Sequence, residues 1–305
     1  MNYRPEGSLA GTPANERLIS SVEGLTEALE KGIILEARVT MCTSSHDLTI
    51  ALPCADGVIP REEGALGVRE GTTRDIAIIS RVNKVVCFKV ISIETSENGG
   101  YKAILSRRAA QEECMEQYVR TLASGDIIDA KVTHLEQFGA FVDIGCGIPS
   151  LIPIDAISVS RISHPADRFS VGQKLKVAVR SNENGRVCLT HKELLGSWSE
   201  NAQNFAVGET VGGIVRSVEE YGIFVELAPN LAGLAEPKEN IRSGQSVSVY
   251  IKAILPEKMK VKLVIIDVCE DVPTPPDNKY YIDSGHISHW EYSTPDSPKK
   301  IISEF

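Results

Sequence analysis

Two pairs of aromatic side chains, Phe138 with Phe141 and Tyr221 with Phe224, sit three residues apart in the runs HLEQFGAFVDIG and EEYGIFVEL. An exposed ring is a surface on which an unpaired nucleobase stacks, contributing roughly 1–3 kcal/mol per base. Cations beside it add a salt-dependent attraction for the phosphate chain. Both runs read as β-strands, and a strand alternates faces with period two, so residues i and i+3 should point opposite ways. Gly139 and Gly222 lie inside these runs. Glycine within a strand often marks a bulge, and a bulge would reset the alternation and turn both rings of a pair outward. If Val132 and Val187 point inward, Lys131 and Arg186 are outward. The same rule puts Arg216 and Lys260 outward beside the second pair, while Lys174, Lys176 and Arg180 alternate outward elsewhere.

Other constellations are poorer in chemistry. His286 and His289 are three apart, with no evident third ligand for a metal. His134, Asp143 and Ser150 have the residue types of a triad, but no nucleophile elbow or glycine-rich oxyanion loop accompanies them. There is no Walker or dinucleotide glycine motif. The seven cysteines form no Cys-x-x-Cys pair, which argues against a zinc site or a disulfide framework and for reduced, apolar thiols. We therefore expect no enzyme, no cofactor and no metal.

The elements that position the rings repeat. GDIIDAKVTHLEQFGAFVDIGCGIPSLIP from Gly125 aligns with GETVGGIVRSVEEYGIFVELAPNLAGLAEP from Gly208 at an offset of 83 residues. Val132 matches Val215, Glu136 matches Glu219, Phe138 matches Tyr221, Gly139 matches Gly222 and Phe141 matches Phe224. A weaker copy starts at Gly32 and ends at GGYKAILS, with an additional run, VREGTTRDIAIIS, that reads as one more strand. Each good copy holds about five short strand-like runs. In the second copy these are DAKVTHL, FGAFVDI, SLIPI, KLKVAVR and RVCLT, the last two joined by the hairpin signal NENG. Five short strands in roughly 65–70 residues suggest a small barrel of the OB-fold kind. Helical periodicity marks the linkers RRAAQEECMEQYVRTLASGD and HKELLGSWSENAQNF, and a helix, SSVEGLTEALEKG, leads into the first copy.

The expected fold is mainly β: three tandem five-stranded OB-fold barrels joined by short helical linkers, with an extended C-terminal tail. The boundaries are an N-terminal extension and helix (1–31), a divergent first repeat (32–107), a linker (108–124), a second repeat (125–190), a linker (191–207), a third repeat (208–268) and the tail (269–305). From Asp271 that tail holds five prolines together with Tyr280, Tyr281 and Trp290, rings fit either to stack RNA or to staple the tail to a barrel, the second being the expected role.

The 305 residues carry a net charge of −9, so whole-chain attraction does not bring a polyanion here. Counted over 125–190, 7 basic and 7 acidic residues cancel; over 208–268, 7 basic and 8 acidic leave −1; the remainder holds 18 and 26. The acid lies outside the two ring-bearing copies. No apolar run approaches the roughly 18–20 residues of a membrane span, and the polar N-terminus has no signal-like segment. A soluble, cytoplasmic protein without membrane contact is expected.

The segment AKVTHLEQFGAFVDIGCGIPSLIP, followed by SHPADRFSVGQKLKVAV and GRVCLT, resembles the S-one-type RNA-binding domain family, an OB-fold module. The likeness covers most of residues 30–268, weakly in the first copy, and extends to the tandem arrangement found in a ribosomal protein of the bacterial small subunit. The family implies a face made by two aromatics on the second strand, a histidine on the next, and an Asp and an Arg around the final hairpin. Carried over, this assigns Phe138, Phe141, Asn182 (in place of Asp) and Arg186 in the second copy, with Pro153 at the histidine position. In the third copy it assigns Tyr221, Phe224 and Lys260, with Glu236 and Pro256 at the histidine and Asp positions. In the first copy Ser45 and Leu48 replace the rings. With the flanking cations, the expected RNA-binding set is Lys131, Phe138, Phe141, Asn182, Arg186, Arg216, Tyr221, Phe224 and Lys260.

The resemblance implies a protein that binds single-stranded RNA or mRNA in translation at the small ribosomal subunit, with protein contacts open to the first repeat. Two alternatives stand beside it. One is a non-ribosomal regulator of RNA turnover or stress response. The other is a protein-interaction scaffold with weak RNA affinity.

Overall fold

A computed structural model describes residues 3–95, 99–269 and 279–305. It contains three closed five-stranded barrels, as expected of tandem OB-folds. The first is built from β1 (Leu35–Cys42), β2 (Leu48–Ala51), β3 (Asp56–Ile59), β4 (Val85–Thr95) and β5 (Tyr101–Ser106). The second uses β6 (Ile127–Glu136), β7 (Gly139–Asp143), β8 (Pro149–Pro153), β9 (Lys174–Glu183) and β10 (Arg186–Thr190). The third uses β11 (Thr210–Glu219), β12 (Gly222–Ala228), β13 (Leu231–Ala235), β14 (Ser246–Leu255) and β15 (Lys260–Cys269). All three share one topology, an antiparallel meander closed by a parallel pairing of the third strand with the fifth, as in Leu234 beside Lys262. Inward positions carry Val, Ile and Leu: Val132, Val142, Ile152 and Leu189 in the second barrel; Val215, Val225, Val249 and Leu263 in the third. Asn184 and Gly185 of the NENG turn both take positive φ (55° and 87°), the backbone that an Asn-Gly hairpin requires.

Helices form where the sequence supplies caps. The short α1 (Pro13–Ile19) and α2 (Val22–Lys31) precede the first barrel, and α2 starts on the side chain of Ser21 and stops at Gly32 in the left-handed region. A four-residue helix, α3 (Ile76–Ile79), occupies the run expected to be an additional strand. Once a barrel has closed, it offers no free edge for a sixth strand. The run instead folds onto itself, with Thr72 and Thr73 N–H donating to the Gly67 carbonyl and Ile79 N–H to that of Asp75. After the first barrel, α4 (Arg107–Gln117) is capped by Ser106. The linker expected from HKELLGSWSENAQNF is broken into a 3₁₀ turn, Lys192–Leu195, and a short α5 (Trp198–Ala202). Gly196 breaks it, with φ +82° and the Tyr281 ring 2.6 Å from where a Cβ would stand.

The chain divides into two compact units, Met1–Leu122 with Asp143–Pro149, and Ala123–Val142 with Ser150–Phe305. In the first, a buried polar cluster joins the N-terminal segment to α4 and the loop after β7. Arg107 donates to both carboxylate oxygens of Glu6 (2.7 and 3.1 Å), and Asp143 accepts from the N–H groups of Glu6, Gly145 and Gly147. Burial, then the charge of Glu6, pushes the Asp143 carboxyl up to about 7. Burial also opposes ionisation of Glu6, but Arg107 outweighs it and holds that carboxyl below its ordinary value. All seven cysteines are free thiols.

In the second unit, Arg168, fully buried, meets Glu226 of β12. Arg216 also binds Glu226 through two hydrogen bonds (2.8 and 3.2 Å). These charges tie the insertion of the second barrel to a strand of the third. The described part of the tail, 279–305, packs on this unit. It forms a small sheet of β16 (His289–Glu291) with β17 (Ile302–Glu304) and buries Trp290 and Tyr292, while the tyrosine hydroxyl of residue 280 accepts from Lys176 N–H. Residues 270–278, with Pro273, Pro275 and Pro276, lie outside the described residues. Trp290 thus acts as the staple expected of it.

Two consequences are measurable. Arg168→Ala would leave Glu226 buried with half its partners, and removing one member of a buried pair costs about 3 kcal/mol or more. The urea midpoint of the second unit should fall accordingly, followed by fluorescence of Trp198 and Trp290, which both lie in that unit. An unchanged midpoint would refute the role of the pair. Asp143 carries a pH signature. Its folded value, about 7, lies above the ordinary value of about 3.9 for an unfolded Asp. Its contribution is therefore complete below the unfolded value and is lost as pH rises through the folded one. Glu6, shifted down, acts oppositely and only in more acidic solution. Protection of α4 amides from hydrogen exchange should decline between about pH 4 and about pH 7 beyond the chemical exchange trend, and Asp143→Asn should flatten the decline.

Candidate nucleic-acid interface

Phe138 lies outside the strand run. β6 ends at Glu136 and β7 begins at Gly139, so Gln137 and Phe138 form a two-residue hairpin turn; Glu220 and Tyr221 do the same between β11 and β12. Phe138 is 57% exposed and Tyr221 68%. Phe141 and Phe224, on the outward face of the following strand, are half-buried. The rings of each pair meet edge to face, 5.9 Å apart at 90° in the second barrel and 6.2 Å apart at 87° in the third. Such pairs are attractive in their own right, and the exposed ring keeps a face toward solvent.

The bulge exists, but one strand away from its expected place. Pairing of β11 with β12 slips between Val215 and Ser217, leaving Arg216 as the additional residue. β1 slips against β2 at the corresponding place, leaving Thr40, although that barrel has no ring pair. The glycines serve close approach. A Cβ at Gly139 would stand 2.5 Å from the Ile152 carbonyl oxygen, and one at Gly222 would stand 2.7 Å from that of Ala235. The hairpin tip is then pinned by Ile154 N–H, which donates to the Phe138 carbonyl at 3.0 Å.

The slip also changes the correspondence with the first barrel. Thr40 Oγ1 donates to the Thr49 carbonyl (3.0 Å) as Thr133 Oγ1 donates to that of Phe141 (3.1 Å). Thr49 therefore occupies the place of Phe141, and Leu48, expected there, is fully buried core. The segment from Thr40 to Thr49 is one residue longer than that from Thr133 to Phe141, which sequence alignment alone conceals. Ser45, expected at the other ring position, bonds within that hairpin to Thr43 and Asp47.

Among the cations, Arg186 and Lys260 are exposed at the start of the last strand of their barrels, and Lys131 is half-buried on β6. Arg216 departs from expectation. As the additional residue of a bulge it leaves the alternation, its side chain is only 11% exposed, and its guanidinium is engaged by Glu226 and by Asp167 at 3.6 Å. Asn182 Oδ1 accepts from Gly185 N–H at 3.0 Å, so this side chain also shapes the hairpin beside Arg186.

His134, which strand alternation did not single out, belongs to the face. Its ring lies 6.5 Å from Phe141 at 28°, and Nε2 is 2.6 Å from Glu136 Oε1. Its signal was its position opposite the phenylalanine, visible only after the one-residue slip. The imagined triad partners are engaged elsewhere: Asp143 by backbone N–H groups, and Ser150 Oγ in donating to the Val187 carbonyl. His286 and His289 turn to different carboxylates, Asp126 and Glu304. No group of three His, Cys, Asp or Glu residues fit to hold a metal occurs among the described residues.

Residues 121–191, which contain the second barrel, match the S1 RNA binding domain family. The small ribosomal subunit protein bS1 of Staphylococcus aureus (strain MRSA252) is 33% identical over 218 residues, 64% of this chain and 55% of its own length. The bS1 homolog of Bacillus subtilis (strain 168) is 30% identical over 208 residues, 62% of this chain and 53% of its own. The chain spans about half the length of the curated relatives it matches. Among solved structures, a multidomain protein with nucleic acid binding domains from Streptococcus pneumoniae aligns over 77% of this chain and 73% of its own, at 14% identity and a TM-score of 0.26. The second barrel, with its ring pair at the hairpin, is thus a member of the S1 RNA-binding-domain family.

Proposed function

We propose that the chain binds single-stranded RNA, mRNA included, and acts in translation at the small ribosomal subunit, in the cytoplasm and without covalent chemistry. The observation that carries this reading is the recurrence of one outward ring pair at the same hairpin of two barrels, in one of which the family match is direct. Single strands suit the face because their bases can be splayed and stacked. Two rings in each of two linked barrels offer several stacking contacts without a basic surface, and linkage multiplies modest affinities. The binding set is Phe138, Phe141, Tyr221 and Phe224 for bases, with Lys131, Asn182, Arg186 and Lys260 around them. The ribosomal setting is supported by the names of the relatives. The first barrel, with Thr49 in place of a ring, is assigned to protein contacts. Among the described residues no helix is long and apolar enough to cross a membrane.

A scaffold with little RNA affinity is the second reading, favoured by Glu219 and Glu220 directly beside Tyr221. Fluorescence anisotropy of a labelled single-stranded RNA separates the two. Phe138→Ala/Phe141→Ala should weaken binding about five-fold or more, the loss of about one stacked base, while circular dichroism stays unchanged because Phe138 is exposed. Equal affinity of the two proteins would remove the platform. Co-sedimentation with small subunits at low salt is expected, and its absence would remove the ribosomal setting.

A further inference from the structure

The two ring pairs stand in different chemical surroundings. In the second barrel His134 adds a third ring, nearly parallel to Phe141. In the third barrel the residue at that place, paired with Phe224, is Ser217. On the other side the difference reverses. Outward Phe224 pairs with Leu234, and Leu234 lies beside Lys262. In the second barrel the residue beside the corresponding Leu151 is Cys188. Lys262 is exposed and stands two strand spacings, roughly 10 Å, from Phe224, within reach of a lysine side chain. Lys252 reinforces it. β14 slips against β15 between Ile251 and Ala253, leaving Lys252 beside the pair Ala253–Lys262. It too is exposed, with Glu236 at 3.4 Å. Of the acids of this barrel's hairpin, Glu219 ends β11, which flanks β12 on the side away from β13 and β15, and Glu220 lies in the turn beside Tyr221.

We propose that the two barrels divide one RNA strand between them. The second holds bases on three rings, His134, Phe138 and Phe141. The third holds the phosphate chain on a track of Lys252 and Lys262 beside Tyr221 and Phe224. This rests on the reading that the chain binds single-stranded RNA. Both barrels are assigned to one strand on the strength of the buried contact of Arg168 with Glu226, which ties the second barrel's insertion to the third barrel two residues along the same outward face from Phe224. The phosphate track belongs to the same compact unit as the three-ring face.

Salt dependence separates the two kinds of contact. Each phosphate contact on a single strand contributes about 0.7 to the slope of log K against log salt, whereas stacking contributes almost none. With the full chain and a labelled homopolymeric single-stranded RNA, Lys252→Gln/Lys262→Gln should reduce the slope by about 1.4, twice that contribution. His134→Ala should weaken binding about five-fold or more at every salt concentration with the slope unchanged. His134→Phe, which keeps a ring, should retain affinity. Binding by all proteins with equal slopes overturns the division alone, as does a His134→Ala variant with undiminished affinity. Absence of binding by the unaltered chain overturns the parent reading, and the division with it.

Discussion

The first strand of a barrel gives one half of its length to one partner and the other half to a second. β11 pairs with β14 through Thr210–Ile214 and with β12 through Ile214–Glu219, and β1 is divided likewise between β4 and β2. A small barrel closes only if such a strand bends across the corner, and a bulge supplies the bend. The bulge at Thr40 or Arg216 is therefore a demand of closure. It is present whether or not rings accompany it. The ring pairs exploit a distortion that the fold makes in any case, and His134 faces Phe141 for the same reason.

Closure also explains how a chain of net negative charge can carry the proposed RNA-binding face. Each barrel buries one side of every strand and leaves the other to solvent, so binding depends on which few side chains stand on one patch. Several charges that look available in the sequence are consumed within the structure. Arg107 holds Glu6, and Arg168 and Arg216 hold Glu226. Removed from solvent, these groups orient segments and contribute little long-range field. The field left at the faces comes from exposed residues such as Arg186, Lys252, Lys260 and Lys262.

Much of this was legible in the sequence because it was periodic. The repeat at 83 residues, alternation of Val, Ile and Leu, and the Asn-Gly turn each reflect local rules, and the barrels follow them. The misreadings have one origin, since each concerns a residue whose place depends on a partner strand. The run around Ile76–Ile79 has strand composition, but no edge remained for it and it became a helical turn. Leu48 was aligned with a ring because the longer first hairpin is invisible until the strands pair. Arg216 was counted as an available cation, but Glu226 of the partner strand and Asp167 of the second barrel's insertion take up its guanidinium.

The sequence by itself determined the elements, their repetition and the presence of two aromatic pairs, because strand period, turn chemistry and composition act over neighbouring residues. Only the tertiary structure decided which residues share a face. It moved Phe138 and Tyr221 from strand to hairpin, withdrew Arg216 into ion pairs, set His134 beside Phe141 and placed Lys262 two strands from Phe224. The physical reason is that pairing register and barrel closure join residues far apart in the chain, and a slip of one residue exchanges the inside for the outside.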